Sequence, residues 1–472
     1  MTVTGPKEPG QNSAYWLLRL FFLKSQKDMM QTMEAKKCEY GNTFRDKICL
    51  FSCDYLKCCL YLSGDEAPSH GREFTKKFFS KLIGTSQVLE SFLDFHGAKN
   101  NREWYLYREL SAAVRHISLG GYSQKHILNR LVSYRLEDSG QFESEGVKNL
   151  DFITLALKRM APVILDEAGR LKIPIPAAGF DFCDFPAITT GDRLECNIND
   201  EQKTSQKKHV VRIANDFLNI AGHFEQYEFF EPCDTTKIKE MVPETINEVE
   251  VRRYEMLVHN LQSAFDTYVI QGGYEFGDRK LRDLRSRFSV VFHILQMMGR
   301  LLHFYERHLH KAGYKDIYKK VRNQLSFLVD PDSLLDRTVN YGLYYACHFL
   351  STGKDLAREV LNENIERGVI VVGIPVTRGF HSRPSLMVAK VVQHYGGQVE
   401  MCAGGSRFDA SSVLDLQWAG GKIQNENITE VSFEGDMRAL KDLEILASVN
   451  YGEDSMGKPV PLPSALKYLR EF

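Results

Sequence analysis

The run Val369-Ile370-Val371-Val372-Gly373-Ile374, followed by Gly379-Phe380-His381-Ser382-Arg383-Pro384-Ser385, constrains this chain more than any other stretch. The apolar run is short and β-branched, which reads as a strand. Gly379 marks a tight turn. Beyond it Val388, Val391, Val392 and Tyr395 recur at i, i+3, i+4 and i+7, the stripe of an amphipathic helix. A histidine therefore stands at the mouth of a helix. That place offers unpaired N–H groups and the positive end of the helix dipole, and so favours an anion. An imidazole nitrogen there can attack phosphorus, leaving the phosphate on those N–H groups. Arg383 adds a planar cation suited to phosphate oxygens. Pro384 has no N–H, which costs nothing in a first turn. Taken alone, a histidine before Arg-Pro is an ordinary surface turn residue; the flanking strand and helix are what favour the anion site.

This segment resembles HPr, the histidine-containing phosphocarrier family of the bacterial sugar phosphotransferase system. The family pattern is a Gly, an apolar residue, the phosphorylated His, a small residue, an Arg and a Pro, and Gly379 to Pro384 match it. The likeness covers residues 366–450 and nothing outside them. Gln398-Val399-Glu400-Met401 reads as a second strand and Gly404-Gly405 as its hairpin turn. Ser412 lies 31 positions after His381, where the family has its regulatory serine, and Val413, Leu414 and Gln417 fall on the family's partner-binding face. Ser412 is equally an N-cap, and Ser411 is an adjacent alternative cap. Ile428 to Phe433 reads as a later strand, and Ala439, Leu440, Leu443, Leu446 and Ala447 as the stripe of a last helix. The chain departs from the family at Ser382, where alanine is usual, at Asp415, where glycine is common, and at the bulky Trp418.

The resemblance implies an α/β open-faced sandwich, an antiparallel sheet with three helices. It implies that His381 accepts a phosphoryl group through Nδ1 and that Arg383 stabilises it, with Ser382, Pro384 and Ser385 forming the phosphate-binding helix start. It implies an enzyme I-like donor, a IIA-type acceptor and an HPr kinase as partners, no cofactor, and cytoplasmic residence. Such a protein is a carrier in phosphoryl transfer rather than a free-standing catalyst. Two alternatives stay open. The segment is a docking or sensor module whose phosphorylation state regulates the rest of the chain, or a domain that only binds.

At 472 residues the chain exceeds one ordinary domain. Residues 1–14 read as a flexible tail, 15–160 as a helical region, 161–205 as a connector with short extended segments, 206–365 as a helical bundle, and 451–472 as a C-terminal tail. The helical region is expected to break near Gly64, Gly71 and Gly120-Gly121. Val210, Ile213, Phe217 and Ile220 form one stripe; Tyr254, Leu257, Val258, Leu261, Phe265 and Tyr268 form another, ended by Gly272-Gly273. A long helix is expected from Arg279 to His310, antiparallel to its predecessor. The fold class is thus a mainly α portion followed by an α/β domain.

Several function classes are disfavoured. A net charge of −1 gives no global attraction to nucleic acid or anionic lipid. The apolar residues around Tyr15 to Leu23 are too few to span a bilayer, which argues against membrane insertion. There is no Walker loop and no G-x-G-x-x-G after a strand. Cys49, Cys53, Cys58 and Cys59 crowd one segment without a C-x-x-C pair, so they read as reduced core thiols rather than metal ligands. His293, His303, His308 and His310 include no i, i+4 pair and read as solvated or core-edge residues. The run Arg279, Lys280, Arg282, Arg285 and Arg287 reads as a solvated helical face.

Overall fold

The computed structural model describes residues 43–64, 74–136, 139–188, 194, 207–227, 229, 231–270, 279–310 and 313–470. The expected N-terminal tail, the segment Tyr15 to Leu23, Gly71 and the helix end at Gly272-Gly273 lie outside the described residues.

Up to residue 364 the described chain is helical. The helices are α1 (Phe44–Ser63), α2 (Lys76–Phe95), α3 (Tyr105–Tyr134), α4 (Ser139–Arg170), α5 (Lys207–Glu225), α6 (Thr235–Met241), α7 (Glu248–Phe265), α8 (Arg279–Phe304), α9 (Asp316–Leu328), α10 (Pro331–Asp336) and α11 (Tyr344–Asn364). Starts are set by caps. Thr43 and Asp46 form a capping box, and Thr75, Asp234, Asn247 and Asp330 each accept a first-turn N–H. Three turns are π-helical: Asp266–Ile270, Tyr305–His310 and Arg337–Leu343. The long helix from Arg279 is therefore α to Phe304 and π from there to His310. Helices α7 and α8 run antiparallel, because Glu248 meets His303 while Phe265 meets Phe288.

Three expectations need correction here. Gly120 and Gly121 do not break a helix; they lie inside α3. A Cβ on Gly121 would collide with the Phe79 ring, and one on Gly120 would press on Leu301, so these glycines permit close helix packing. The region 161–205 contains no strand among its described residues: α4 continues to Arg170, and only a 3-10 turn, Phe182–Asp184, follows. The basic run of α8 is not merely solvated. Lys280 binds Glu359 and Glu363 of α11, Arg285 binds Asp266, and Arg287 donates to Thr352.

The remainder is a second layer structure with its own core. It comprises β1 (Arg367–Gly373), α12 (Ser382–Tyr395), β2 (Val399–Ala403), β3 (Ser406–Asp409), α13 (Val413–Asn425), β4 (Glu430–Asp436) and α14 (Met437–Ser448). The strands pair antiparallel in the order β1-β4-β2-β3. Gly404 and Gly405, both left-handed, make the two-residue turn between β2 and β3. Val372, Val399, Met401, Val431 and Phe433 face inward and share one core with Val388 and Val392 of α12, Leu416 of α13 and Leu440 of α14. Val369 and Val371 point the other way and are exposed. Residues 451–470, expected as part of a tail, instead pack: Tyr451, Leu466 and Leu469 are buried in the same core. They do so through 3-10 turns, whose short irregular spacing leaves no helix or strand period to read.

The helical core holds a neutral histidine pair with a predictable pH response. His126 and His293 rings lie 4.0 Å apart. Burial, then each other and nearby cations, push His126 down to about 3. Burial pushes His293 down to about 4. The unfolded chain takes up these protons near pH 6.5 and the folded one only lower, so this part of the stability is present above pH 6.5 and is lost as pH falls toward 4. Melting temperature followed by circular dichroism should fall between pH 7.5 and 5, and fall less in a His126→Gln, His293→Gln double variant. Identical pH slopes in the two proteins would refute this assignment.

Candidate functional site

His381 is the N-cap residue of α12, and no side chain caps that helix. The N–H groups of Ser382 and Arg383 are first-turn donors, which an α-helix cannot satisfy internally. The first intrahelical bond is from Ser385 N to His381 O. The turn before the helix is tight: Arg378 and Gly379 are both left-handed, and His381 N donates to Gly379 O. Gly379 adopts this conformation without cost, whereas Arg378 carries local strain of the kind found at functional sites. Phe380, buried against Phe433 and Tyr451, anchors the turn in the core.

The key contact comes from the far end of the domain. Glu453 Oε2 lies 3.1 Å from His381 Nε2, and Glu453 Oε1 accepts from Arg383 Nη1 at 3.0 Å. The Glu453 side chain is 0% exposed, while that of His381 is 33% exposed. A fully buried carboxylate needs such partners to offset its lost hydration. Arg383 Nη1 also donates to Gly457 O. Since a carboxylate only accepts, His381 Nε2 carries the proton in the neutral ring, and Nδ1 keeps its lone pair. Nδ1 makes no hydrogen bond among the described residues. The ring thus has one nitrogen held and one nitrogen presented.

Local sequence explains why Glu453 arrives there. Asn450, Tyr451 and Gly452 are consecutively left-handed, which turns the chain sharply back after α14. The Asn450 side chain accepts from Val376 N, and the Tyr451 hydroxyl donates to Gly373 O. Burial pushes the Tyr451 pKa up, so it remains a donor. Asp454 then accepts from Met456 N and Lys458 N, closing a short loop with Gly457 at its left-handed position. Thr377 ties the turn before His381 to Ser455 O.

The other expected residues fall as follows. Ser382 Oγ accepts from Gln417 Nε2 at 3.2 Å, joining the mouths of α12 and α13. Pro384 and Ser385 are buried, and the Ser385 hydroxyl donates to Phe380 O, so its side chain serves the turn rather than the open side. Ser412 is the N-cap of α13, accepting from Asp415 N, and its hydroxyl also donates to the Asp415 carboxylate. Val413 packs partly into the core, whereas Leu414 and Trp418 are exposed at 66% and 73%. An exposed apolar rim therefore flanks a helix mouth that carries a half-buried histidine. Glu453 is the residue that sequence reasoning missed.

No protein-family model, curated protein or solved structure matches this chain. No described helix is long and apolar enough to cross a membrane.

The Glu453 contact makes the ring tautomer measurable. In long-range nitrogen–proton spectra at alkaline pH, His381 should show protonated Nε2 and unprotonated Nδ1. Glu453→Ala should give a mixed tautomer, and should lower stability by about 1.5–3 kcal/mol through its lost charged hydrogen bonds. A tautomer unchanged in a folded Glu453→Ala protein would remove Glu453 from the site.

Proposed function

We propose that the C-terminal domain carries a phosphoryl group on His381 Nδ1, received from an enzyme I-like phosphoprotein and passed to a IIA-type acceptor. The observation that supports this reading is the hydrogen bond between His381 Nε2 and Glu453. It leaves Nδ1 as the nucleophile, at a helix mouth with two first-turn N–H donors and a guanidinium within reach of the same carboxylate. In the transfer, the Nδ1 lone pair forms the new N–P bond as the donor's N–P bond breaks. The pair from the broken bond stays on the donor nitrogen. The ring gains positive charge, which Glu453 stabilises through Nε2–H, while the developing phosphate charge falls on the helix mouth and Arg383. The motif at Gly379 to Pro384, similar to the HPr family, adds to this reading.

A second reading rests on the rim. Leu414 and Trp418 beside Ser382 and Gln417 suit docking by a protein partner, and phosphorylation would then act as a signal to the helical portion. Use of Ser412 by an HPr kinase meets opposing terms. A phosphate there gains from the helix mouth and is repelled by Asp415, which its hydroxyl now contacts.

Incubation with enzyme I and phosphoenolpyruvate should give an acid-labile phosphate that is absent from His381→Ala. Transfer rate should decline from wild type through Arg383→Lys to Arg383→Ala, with a loss of about tenfold to a hundredfold in the last, from roughly 1.5–3 kcal/mol per charged bond. Label retained in His381→Ala, or equal rates in the Arg383 series with intact folds, would contradict the proposal. Phosphate that loads but passes to no acceptor favours the sensor reading.

A further inference from the structure

We propose that His116, His303 and His308 form a binding site for a divalent transition-metal cation of the zinc class. The site lies in the helical portion and is independent of His381. One nitrogen from each ring comes within 4.8 Å of the others. His116 comes from α3, His303 from the last turn of α8, and His308 from the π turn that follows. That turn matters. Its i→i+5 hydrogen bonds widen the helix, so residues five apart share a face, and π turns of this kind recur at functional sites.

The surroundings are those of metal-ligating histidines. His303 Nδ1 lies 2.9 Å from both Glu248 oxygens, and His308 Nδ1 lies 2.7 Å from Glu109 Oε2. A carboxylate on Nδ1 holds the proton there, orients the ring and makes Nε2 the ligand. Both carboxylates are themselves held, Glu248 by Arg252 and Glu109 by Arg108. His116 is 2% exposed and its Nδ1 is buried with no hydrogen-bond partner, a rare state for a polar atom. An all-imidazole set selects zinc, copper, nickel or iron over calcium and magnesium. Beside His303 and His308 opens a cavity of about 630 Å³, also lined by Glu90, Tyr105, Arg108 and Tyr318. Three protein nitrogens, two of them on residues that line this cavity, match the donor count of a catalytic rather than a structural zinc site.

Loading requires a defined rearrangement. The His116 and His303 rings are stacked, with centroids 4.0 Å apart, so they must turn for their lone pairs to converge. Zinc–nitrogen bonds of about 2.0–2.1 Å place tetrahedral donors roughly 3.3 Å apart, a spacing inside the 4.8 Å within which the three nitrogens already lie. Arg115 Nη2 now lies 3.0 Å from His116 Nε2 and can only donate to it. Ligation through either His116 nitrogen needs that guanidinium to withdraw, and its ion pair with Glu90, with Nε 2.6 Å from the carboxylate, gives it a place to stay. Arg115 is therefore a competitor of the metal.

The test is titration of the metal-free full-length protein with Co²⁺ and then Zn²⁺. One equivalent of Co²⁺ should give visible ligand-field bands of low-coordinate nitrogen ligation, which Zn²⁺ abolishes. His308→Gln and His303→Gln should remove the bands and weaken zinc binding at least a hundredfold. Glu109→Gln should weaken it about tenfold to a hundredfold. Arg115→Ala, which leaves every ligand in place, should strengthen it. Absence of the bands in the wild-type protein would overturn the proposal, as would bands whose intensity and affinity are untouched by both His308→Gln and Arg115→Ala.

Discussion

A single buried carboxylate organises the C-terminal domain. The Glu453 side chain is 0% exposed, and among the described residues its charge is met by His381 and Arg383. That requirement fixes three things together. It holds the loop after α14 against the mouth of α12. It places the histidine proton on Nε2. It also parks Arg383 beside the imidazole, with Nη1 engaged and the rest of its planar fork able to meet an incoming anion. The domain core supports the arrangement from beneath, since Phe380 and Tyr451 pack on each other on either side of the contact. Rigid positioning of this kind is what phosphoryl transfer asks of a protein, because the covalent work is slight and the electrostatic work large.

The helical portion is built on a similar constraint. Arg108, nearly buried, binds Glu90, Asp94 and Glu109, and Glu109 in turn binds His308. Charges this deep are tolerated only when each has partners, so the network ties α2, α3 and the π turn after α8 into one arrangement. The close approach of α3 to α2 and α8, which Gly120 and Gly121 allow, brings His116 to the same place. The two portions have separate cores, with the histidine triad in the helical portion and His381 in the C-terminal one.

What was legible in the sequence was local. The strand at Val369 to Ile374, the helix bearing Val388 and Val392, the Gly404-Gly405 turn and the last helix were readable because period and turn chemistry act over a few residues. The position of His381 and Arg383 at the start of α12 was readable for the same reason. Glu453 was not, because it meets His381 from 72 positions away through a left-handed turn that has no period. His116 and His308 were hidden twice. They lie on different helices, and the π turn sets His308 five residues from His303 in place of the i, i+4 spacing of metal-binding helices. Gly120 and Gly121 misled because glycine marks both a helix break and a close packing contact, and only the neighbouring Phe79 and Leu301 decide between them.

The central claim is that Glu453 selects which nitrogen of His381 reacts. The most direct measurement is the phosphorus–nitrogen connectivity of the phosphorylated protein, read by ³¹P and ¹⁵N resonance. Phosphate on Nδ1 is expected, with Nε2 still protonated and bonded to Glu453. Phosphate on Nε2, or no phosphohistidine at His381 with an active donor, would contradict it.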